Sequence, residues 1–322
     1  DFSRLALALQ SEGPSLLSAG AQLSRALEAQ RALQGRTRTM SWGRRRLHFG
    51  ARPLVMGILN CTPDSFYPGS RQAETGAAVA AAARMVAEGA DILDVGGEST
   101  RPGSDTVSAD EEISRVLPVV EALRRRWDLP VSIDTRKAVV ARVALDAGAD
   151  LVNDTGAMDP DPRLLALVAQ RGVPVVLMHM RGEPKTMQLS PHYEDVVGEV
   201  IGELGQALER AATAGVSRER IIVDPGIGFG KRCQDNLSIL RRLRAFTCLG
   251  CPLLVGLSRK SFLGTVLDRP VEQRLVGTVS ANTLAVLGGA DIVRVHDVRE
   301  AAEMARVIEA VRLERCDRQA AG

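Results

Sequence analysis

A closed (β/α)8 barrel, carrying an N-terminal helical extension and a short hairpin, is the α/β fold this sequence predicts, on three observations. Short apolar runs recur eight times, each ending in a polar cluster and each followed by an Ala/Leu-rich segment of helical character. The runs are too uniformly apolar to be half exposed, which points to parallel strands covered on both faces. Eight such units fill about 260 residues, and the longer loops fall after strands, where the active face of a barrel lies. No linker interrupts the series, so the expected organisation is an extension over residues 1–40 and one barrel domain over 41–322.

After the Gly13-Pro14 breaker, Leu16, Leu17, Leu23, Ala26, Leu27 and Leu33 fall near helical spacing and predict an appended amphipathic helix. Residues 40–50, MSWGRRRLHFG, predict a hairpin, with Arg44 to Arg46 as its solvated turn. The first barrel unit is a strand over 55–59, stopped by Asn60, and a helix over 73–88 closed by Gly89. A strand over 91–95 precedes a helix over 109–126, for which Ser108 and Glu111 form a capping box. Strands over 131–133, 151–152 and 174–177 precede helices over 137–146, 162–170 and 193–214. The last three strands, 221–223, 253–256 and 292–295, precede helices over 236–246, 271–287 and 299–313.

Composition narrows the function classes. A formal net charge of +2 gives no global field for nucleic acid or an anionic membrane, and 3% aromatics leaves little for base stacking. No apolar run approaches the ~20 residues of a membrane span, and the start DFSRLALALQSEGP has neither a basic leader nor a cleavage site, so no signal peptide is expected. Five scattered cysteines suit a reducing compartment. Cys248 and Cys251 have C-x-x-C spacing but no second pair to complete a zinc site, and are expected to be loop thiols.

The polar residues closing the strands are Asn60; Thr100 and Arg101 on the second loop; Asp134; Asn153; His179; Asp224; Ser258, Lys260 and Ser261; and Arg294 with His296. In a barrel these converge on one mouth. Asp134, Asn153 and Asp224 suit a neutral heterocycle with N–H donors, because a carboxylate accepts two parallel bonds from an amidine-like edge. Arg101, Lys260, Arg294 and His296 suit a phosphate or diphosphate, with Asn60 able to give an oxygen to a bridging Mg2+. Structural roles compete with these. Asp134 alone could cap a helix, His179 between two methionines could be core, His296 could be a satisfied structural histidine, and Lys260 could be a solvated loop lysine. Arg294 needs a buried partner or an anion. The run DPGIGFGK fails the P-loop pattern, since Pro225 takes the first Gly position and Arg232 replaces the final Ser or Thr.

VMGILNCTPDSF, DVGGESTRPG, the SIDT and LVND strand ends, LMHMRGEPKTMQ, DPGIGFGK, GLSRKSFLG and RVHDV, in this order, closely resemble the dihydropteroate synthase family of pterin-binding enzymes, from about Leu54 to Arg312. The resemblance implies condensation of 4-aminobenzoate with 6-hydroxymethyl-7,8-dihydropterin diphosphate to give 7,8-dihydropteroate and pyrophosphate, in a cytoplasmic homodimer. It implies that Asp134, Asn153, Asp224 and Lys260 hold the pterin, with Met178, Gly228 and Phe229 lining its pocket. Asn60, Thr100, Arg101, Arg294 and His296 then hold the diphosphate and its Mg2+, while Ser261, Arg101 and Pro102 receive the aminobenzoate. Two departures stand out: Tyr67, Pro68, Gly69 and Ser70 replace the usual Ser-Asp-Gly-Gly after TPDSF, and Cys61 replaces an aliphatic residue. Rival readings are a corrinoid-type pterin methyltransferase barrel, which has no need of cations around a leaving diphosphate, and a non-catalytic pterin-binding barrel.

Overall fold

The computed structural model describes residues 24, 37–61, 71–99, 106–158, 161–183 and 185–316, with no side-chain detail for 71–73. The expected extension over 1–40, apart from residues 24 and 37–40, lies outside them. So do the first-loop departures at 67–70.

Eight parallel strands make the sheet: β3 (Leu54–Asn60), β4 (Ile92–Gly96), β5 (Val131–Asp134), β6 (Leu151–Asp154), β7 (Val175–Met178), β8 (Ile221–Asp224), β9 (Leu254–Val255) and β10 (Ile292–Val295). Neighbours in sequence are neighbours in space, β10 pairs with β3, and a parallel bridge from Val223 to Leu253 joins β8 to β9 and closes the ring. The strand-crossing helices are α1 (Arg71–Glu88), α2 (Ala109–Arg126), α3 (Ala138–Asp146), α4 (Pro162–Arg171), α5 (Val196–Thr213), α6 (Cys233–Arg241), α7 (Ser261–Leu267), α8 (Leu275–Leu287) and α9 (Val298–Leu313). This is the (β/α)8 barrel expected from the sequence.

Several boundaries moved, for local reasons. The helix expected over 236–246 starts at Cys233, where Asp235 bonds back to the Arg232 amide, and its continuation is a separate 3-10 turn, Leu243–Leu249, ended by Gly250 in the left-handed region. The one expected over 271–287 splits into a 3-10 turn, Val271–Gln273, and α8. At α2 the Ser108 hydroxyl accepts the Glu111 amide, as the capping pattern implies.

The hairpin, β1 (Arg38–Trp42) and β2 (Arg45–Phe49), is the floor of the barrel and not merely a lead-in. Its buried Met40, Trp42, Leu47 and Phe49 pack on Leu54, Met56, Ile92, Leu151, Val176, Ile222, Leu254 and Ile292, the lowest inward layer of the strands. Arg45 departs from the solvated-turn expectation: its side chain is half-buried against Asp150 at 2.8 Å, while its neighbour Arg44 is exposed.

A repeated helix-to-strand turn fixes the lower rim. Gly-Ala-Asp precedes β4, β6 and β10, as Gly89-Ala90-Asp91, Gly148-Ala149-Asp150 and Gly289-Ala290-Asp291, and the three glycines sit at φ +103°, +107° and +105°. Each aspartate accepts a backbone N–H of the neighbouring strand, from Val55, Val131 and Leu253, and each takes an arginine: Arg52, Arg45 and Arg38. Only glycine adopts that φ without strain, and the carboxylate satisfies a backbone donor at or near the start of the strand.

Candidate active site

Side chains two apart share a face of a strand, so the residues above the apolar floor follow from it. Above Ile92 stands Asp94, above Leu151 Asn153, above Ile222 Asp224, and above Ile292 first Arg294 and then His296. The barrel interior thus changes from hydrocarbon to polar side chains within one turn of the pleat, and the polar layer is the floor of the mouth.

Arg294 spans it. Its Nε donates to Asp94 at 2.6 Å and its Nη2 to Asp134 at 2.6 Å, and Asn153 donates to the same Asp94 oxygen at 3.1 Å. The buried partner that Arg294 required is therefore a pair of carboxylates, and Nη1 takes part in neither bond. Asp134 is not a helix cap: the N-cap position of α3 is Lys137, which makes no side-chain capping bond, and Asp134 is bonded to Arg294 inside the barrel. Burial works against the Arg294 charge, but Asp94 and Asp134 outweigh it and hold the guanidinium ionised. Burial pushes the Asp134 carboxyl up to about 7 against the pull of Arg294, and Asp224 up to about 6 against the Gly226 amide and Lys260.

The loop after β8 builds the second wall. Asp224 accepts the Gly226 amide at 2.7 Å, and glycines at φ +63°, +88° and +59° (Gly226, Gly228, Gly230) turn the chain so sharply that a Cβ on Gly226 would lie 1.7 Å from the His179 carbonyl oxygen. The Phe229 ring lies under the Lys260 ammonium at 3.8 Å from its centroid, and the Gly228 backbone faces the same lysine. Met178, level with Asp224 in the sheet, joins Met180, Met187 and Phe229 in an apolar cluster. Lys260 and Ser261 sit at the start of α7, and the Ser258 hydroxyl takes the His296 amide and lies 3.0 Å from His296 Nδ1. A Ser258 hydroxyl that donates to Nδ1 leaves the ring proton on Nε2.

One mouth therefore gathers Asp134, Asn153, Met178, Asp224, Gly228, Phe229, Lys260, Ser261, Arg294 and His296, with Asn60 at the upper end of β3 beside Gly96. Thr100, Arg101 and Pro102 lie outside the described residues. Asp94 escaped the sequence reading because it stands two residues below the end of its strand; an aspartate inside an apolar strand was the signal. Lys231 was passed over with the failed P-loop pattern, yet it is only 2% exposed and bonded to the carbonyls of the very loop it follows. Gln188, which donates to the Gly228 carbonyl at 2.9 Å, had no signal. Of the pair expected to be loop thiols, Cys248 falls in the 3-10 turn and Cys251 on the loop before β9, where it is buried. Cys61 is buried, which raises its thiol to about 12 and excludes a thiolate.

The family model for pterin binding enzymes matches residues 56–296. A dihydropteroate synthase of Synechocystis is 48% identical over 264 residues, covering 82% of this chain and 91% of its own length. Among solved structures, the Xanthomonas albilineans dihydropteroate synthase with 4-aminobenzoic acid superposes with a TM-score of 0.80 at 45% identity, covering 86% of this chain and 99% of that one. The same enzyme in complex with 7,8-dihydropteroate gives 0.77 at 42%, over 85% and 99%. Similarity of this extent in sequence and in fold places the chain in the pterin-binding enzyme family, beside the dihydropteroate synthases.

Proposed function

We infer that the chain is a dihydropteroate synthase, a transferase that joins 4-aminobenzoate to the exocyclic methylene of 6-hydroxymethyl-7,8-dihydropterin diphosphate and releases pyrophosphate. The observation that carries it is the make-up of the mouth: buried carboxyl and amide groups at its floor with Arg294 held ionised among them, and Lys260 and His296 at the strand ends above. A methyl-transferring barrel has no use for that upper layer.

In this reading Asp134, Asn153 and Asp224 accept the N–H groups of the pterin, Lys260 donates to its acceptors, and Met178, Gly228 and Phe229 flank its faces. His296, through Nε2–H, and the Nη1 edge of Arg294 bind the diphosphate with Asn60, Thr100 and Arg101. Ser261, Arg101 and Pro102 receive the aminobenzoate. Among the described residues no group of three or more His, Cys, Asp or Glu side chains is placed to hold a metal. Asn60, at the upper end of β3, would be the protein oxygen for an Mg2+ carried on the diphosphate, since Mg2+ keeps phosphate oxygens and waters and takes few protein ligands. When bound, the ion supplies positive charge to the oxygens of the leaving group. The protein holds the pterin still, stabilises the departing charge through Arg294 and His296, and leaves the electron-rich ring to carry the cation that the aniline nitrogen attacks. No side-chain nucleophile is needed.

The active unit is proposed to be a homodimer. Val276, Leu284 and Leu287 on α8 and Val307 and Val311 on α9 are exposed on adjacent helices, a surface suited to a second copy and measurable by light scattering. Five free thiols fit a cytoplasmic setting, and no helix among the described residues is long and apolar enough to cross a membrane. Dihydropteroate formed from pterin diphosphate and 4-aminobenzoate, and lost in excess chelator, is the expected result; turnover undiminished by chelator removes the metal, and no product under any condition removes the assignment.

A further inference from the structure

Lys231 is an expensive residue to bury. Its ammonium is surrounded by protein, where a methionine of similar length would fill the space without the cost of removing a charge from water. What surrounds it explains why the charge is there. Nζ lies 3.0 Å from the Gly226 carbonyl, 3.0 Å from the Phe229 carbonyl and 2.8 Å from His179 Nδ1, with the His179 carbonyl at 3.5 Å. An ammonium only donates, so His179 Nδ1 must accept, and the imidazole proton sits on Nε2. That nitrogen is 2.9 Å from Glu203 Oε2 on α5, whose other oxygen pairs with Arg181. The result is a line from the partly exposed Glu203 through a neutral imidazole to an ammonium inside the loop. The rest of the loop is tied from outside: Gly228 N–H to Asn236, Gly228 carbonyl to Gln188, and Gly230 carbonyl to Tyr193.

We propose that Lys231 is a positioning residue for the pterin pocket: oriented by the His179–Glu203 pair, it draws the Gly226 and Phe229 carbonyls inward and so sets the Phe229 ring and Gly228 backbone against Lys260. The proposal rests on the pterin-binding reading of the mouth. The electrostatics agree with the geometry. Burial lowers Lys231 to about 7, with Asp224 and Glu203 opposing and Lys260 and Arg181 assisting. Burial, then Lys231, lower His179 to about 4, keeping the ring neutral. The His179 bond holds Glu203 down at about 2. The other titratable groups facing this centre are Tyr193 ahead of α5 and Asp235 on α6. When Lys231 loses its proton the amine keeps two N–H donors and gains a lone pair, so it can no longer donate to both carbonyls and to His179 Nδ1 at once.

The test is calorimetric titration of 6-hydroxymethyl-7,8-dihydropterin into wild type, Glu203→Gln and Lys231→Met between pH 5.5 and 9, with thermal midpoints recorded for each. Wild type is expected to lose affinity roughly tenfold or more on the alkaline side as the ammonium is discharged. Glu203→Gln leaves the loop's own residues in place, reaching it through His179 and through Arg181 and Tyr193, and removes a charge that favours the ammonium, so its alkaline limb moves to lower pH by about half a unit. Lys231→Met is expected to bind at the weak high-pH level throughout, without that limb. Superimposable wild-type and Glu203→Gln profiles overturn the proposal even if Lys231→Met does not fold, as does wild-type affinity in Lys231→Met. Wild type that binds no pterin at any pH overturns the pterin reading instead.

Discussion

Replacing Arg294 by methionine removes the one cation between two buried carboxylates. The Arg294 side chain is 19% exposed, Asp94 0% and Asp134 8%, and both bonds are 2.6 Å long. Deleting one partner of a buried ion pair costs ~3–5 kcal/mol because the survivors remain desolvated. Two features put this case at the lower end. Asn153 still donates to Asp94, and Asp134 already lies near 7 and can take up a proton. The expected loss at pH 8 is about 3 kcal/mol, or roughly a hundredfold in the folded-to-unfolded ratio. The sign of its pH dependence follows from linkage. Burial already raises Asp134, and without Arg294 its carboxyl binds a proton more tightly in the folded state than in the unfolded one, so the penalty shrinks as pH falls. Urea unfolding followed by circular dichroism at pH 8 and 5.5 measures both quantities. Arg294→Lys is expected to recover little, since an ammonium cannot bridge two carboxylates as the guanidinium fork does. Wild-type stability at pH 8, or a deficit that grows on acidification, refutes the reasoning.

Three further outcomes are expected. Gly226→Ala drives a Cβ into the His179 carbonyl at a left-handed φ, so pterin affinity collapses while far-ultraviolet circular dichroism is kept; affinity within a few-fold of wild type by calorimetry would show that the loop relaxes at no cost. Pterin affinity falls on the acid side as pH drops through about 6, where Asp224 takes a proton and ceases to accept two bonds, and Asp224→Asn removes that limb from the titration along with most of the affinity. Asp150→Ala, which strips the Val131 amide of its acceptor and leaves Arg45 only Asp128, lowers unfolding stability by about 1–3 kcal/mol and leaves the KM for both substrates unchanged, as it lies at the opposite end of the barrel.

The strand ends were legible one at a time because each is a local event: an apolar run stops, and a polar residue follows. Asp224, Asn153 and Arg294 could be read that way, and so could the count of eight strands, since period and polarity are written along the chain. What joins them could not. Asp94 and Asp134 are brought to Arg294 from 200 and 160 positions away, so whether that arginine meets an anion or two carboxylates is set only by closure of the ring. Boundaries such as the split at Leu243 and the early start at Cys233 turned on single backbone bonds that a hydrophobic pattern does not encode.

The sequence by itself determined the alternation of strands and helices, the polar clusters above each strand and the kinship of the chain, because hydrophobic period and motif order are properties of neighbours along the backbone. Tertiary structure alone decided that the hairpin plugs the barrel floor, that Arg45 folds against Asp150, and that Lys231 turns inward to hold the glycine loop. The reason is common to all three: the partner of a charge or of an apolar face is chosen by packing between elements distant in sequence, and only the folded chain brings them within reach.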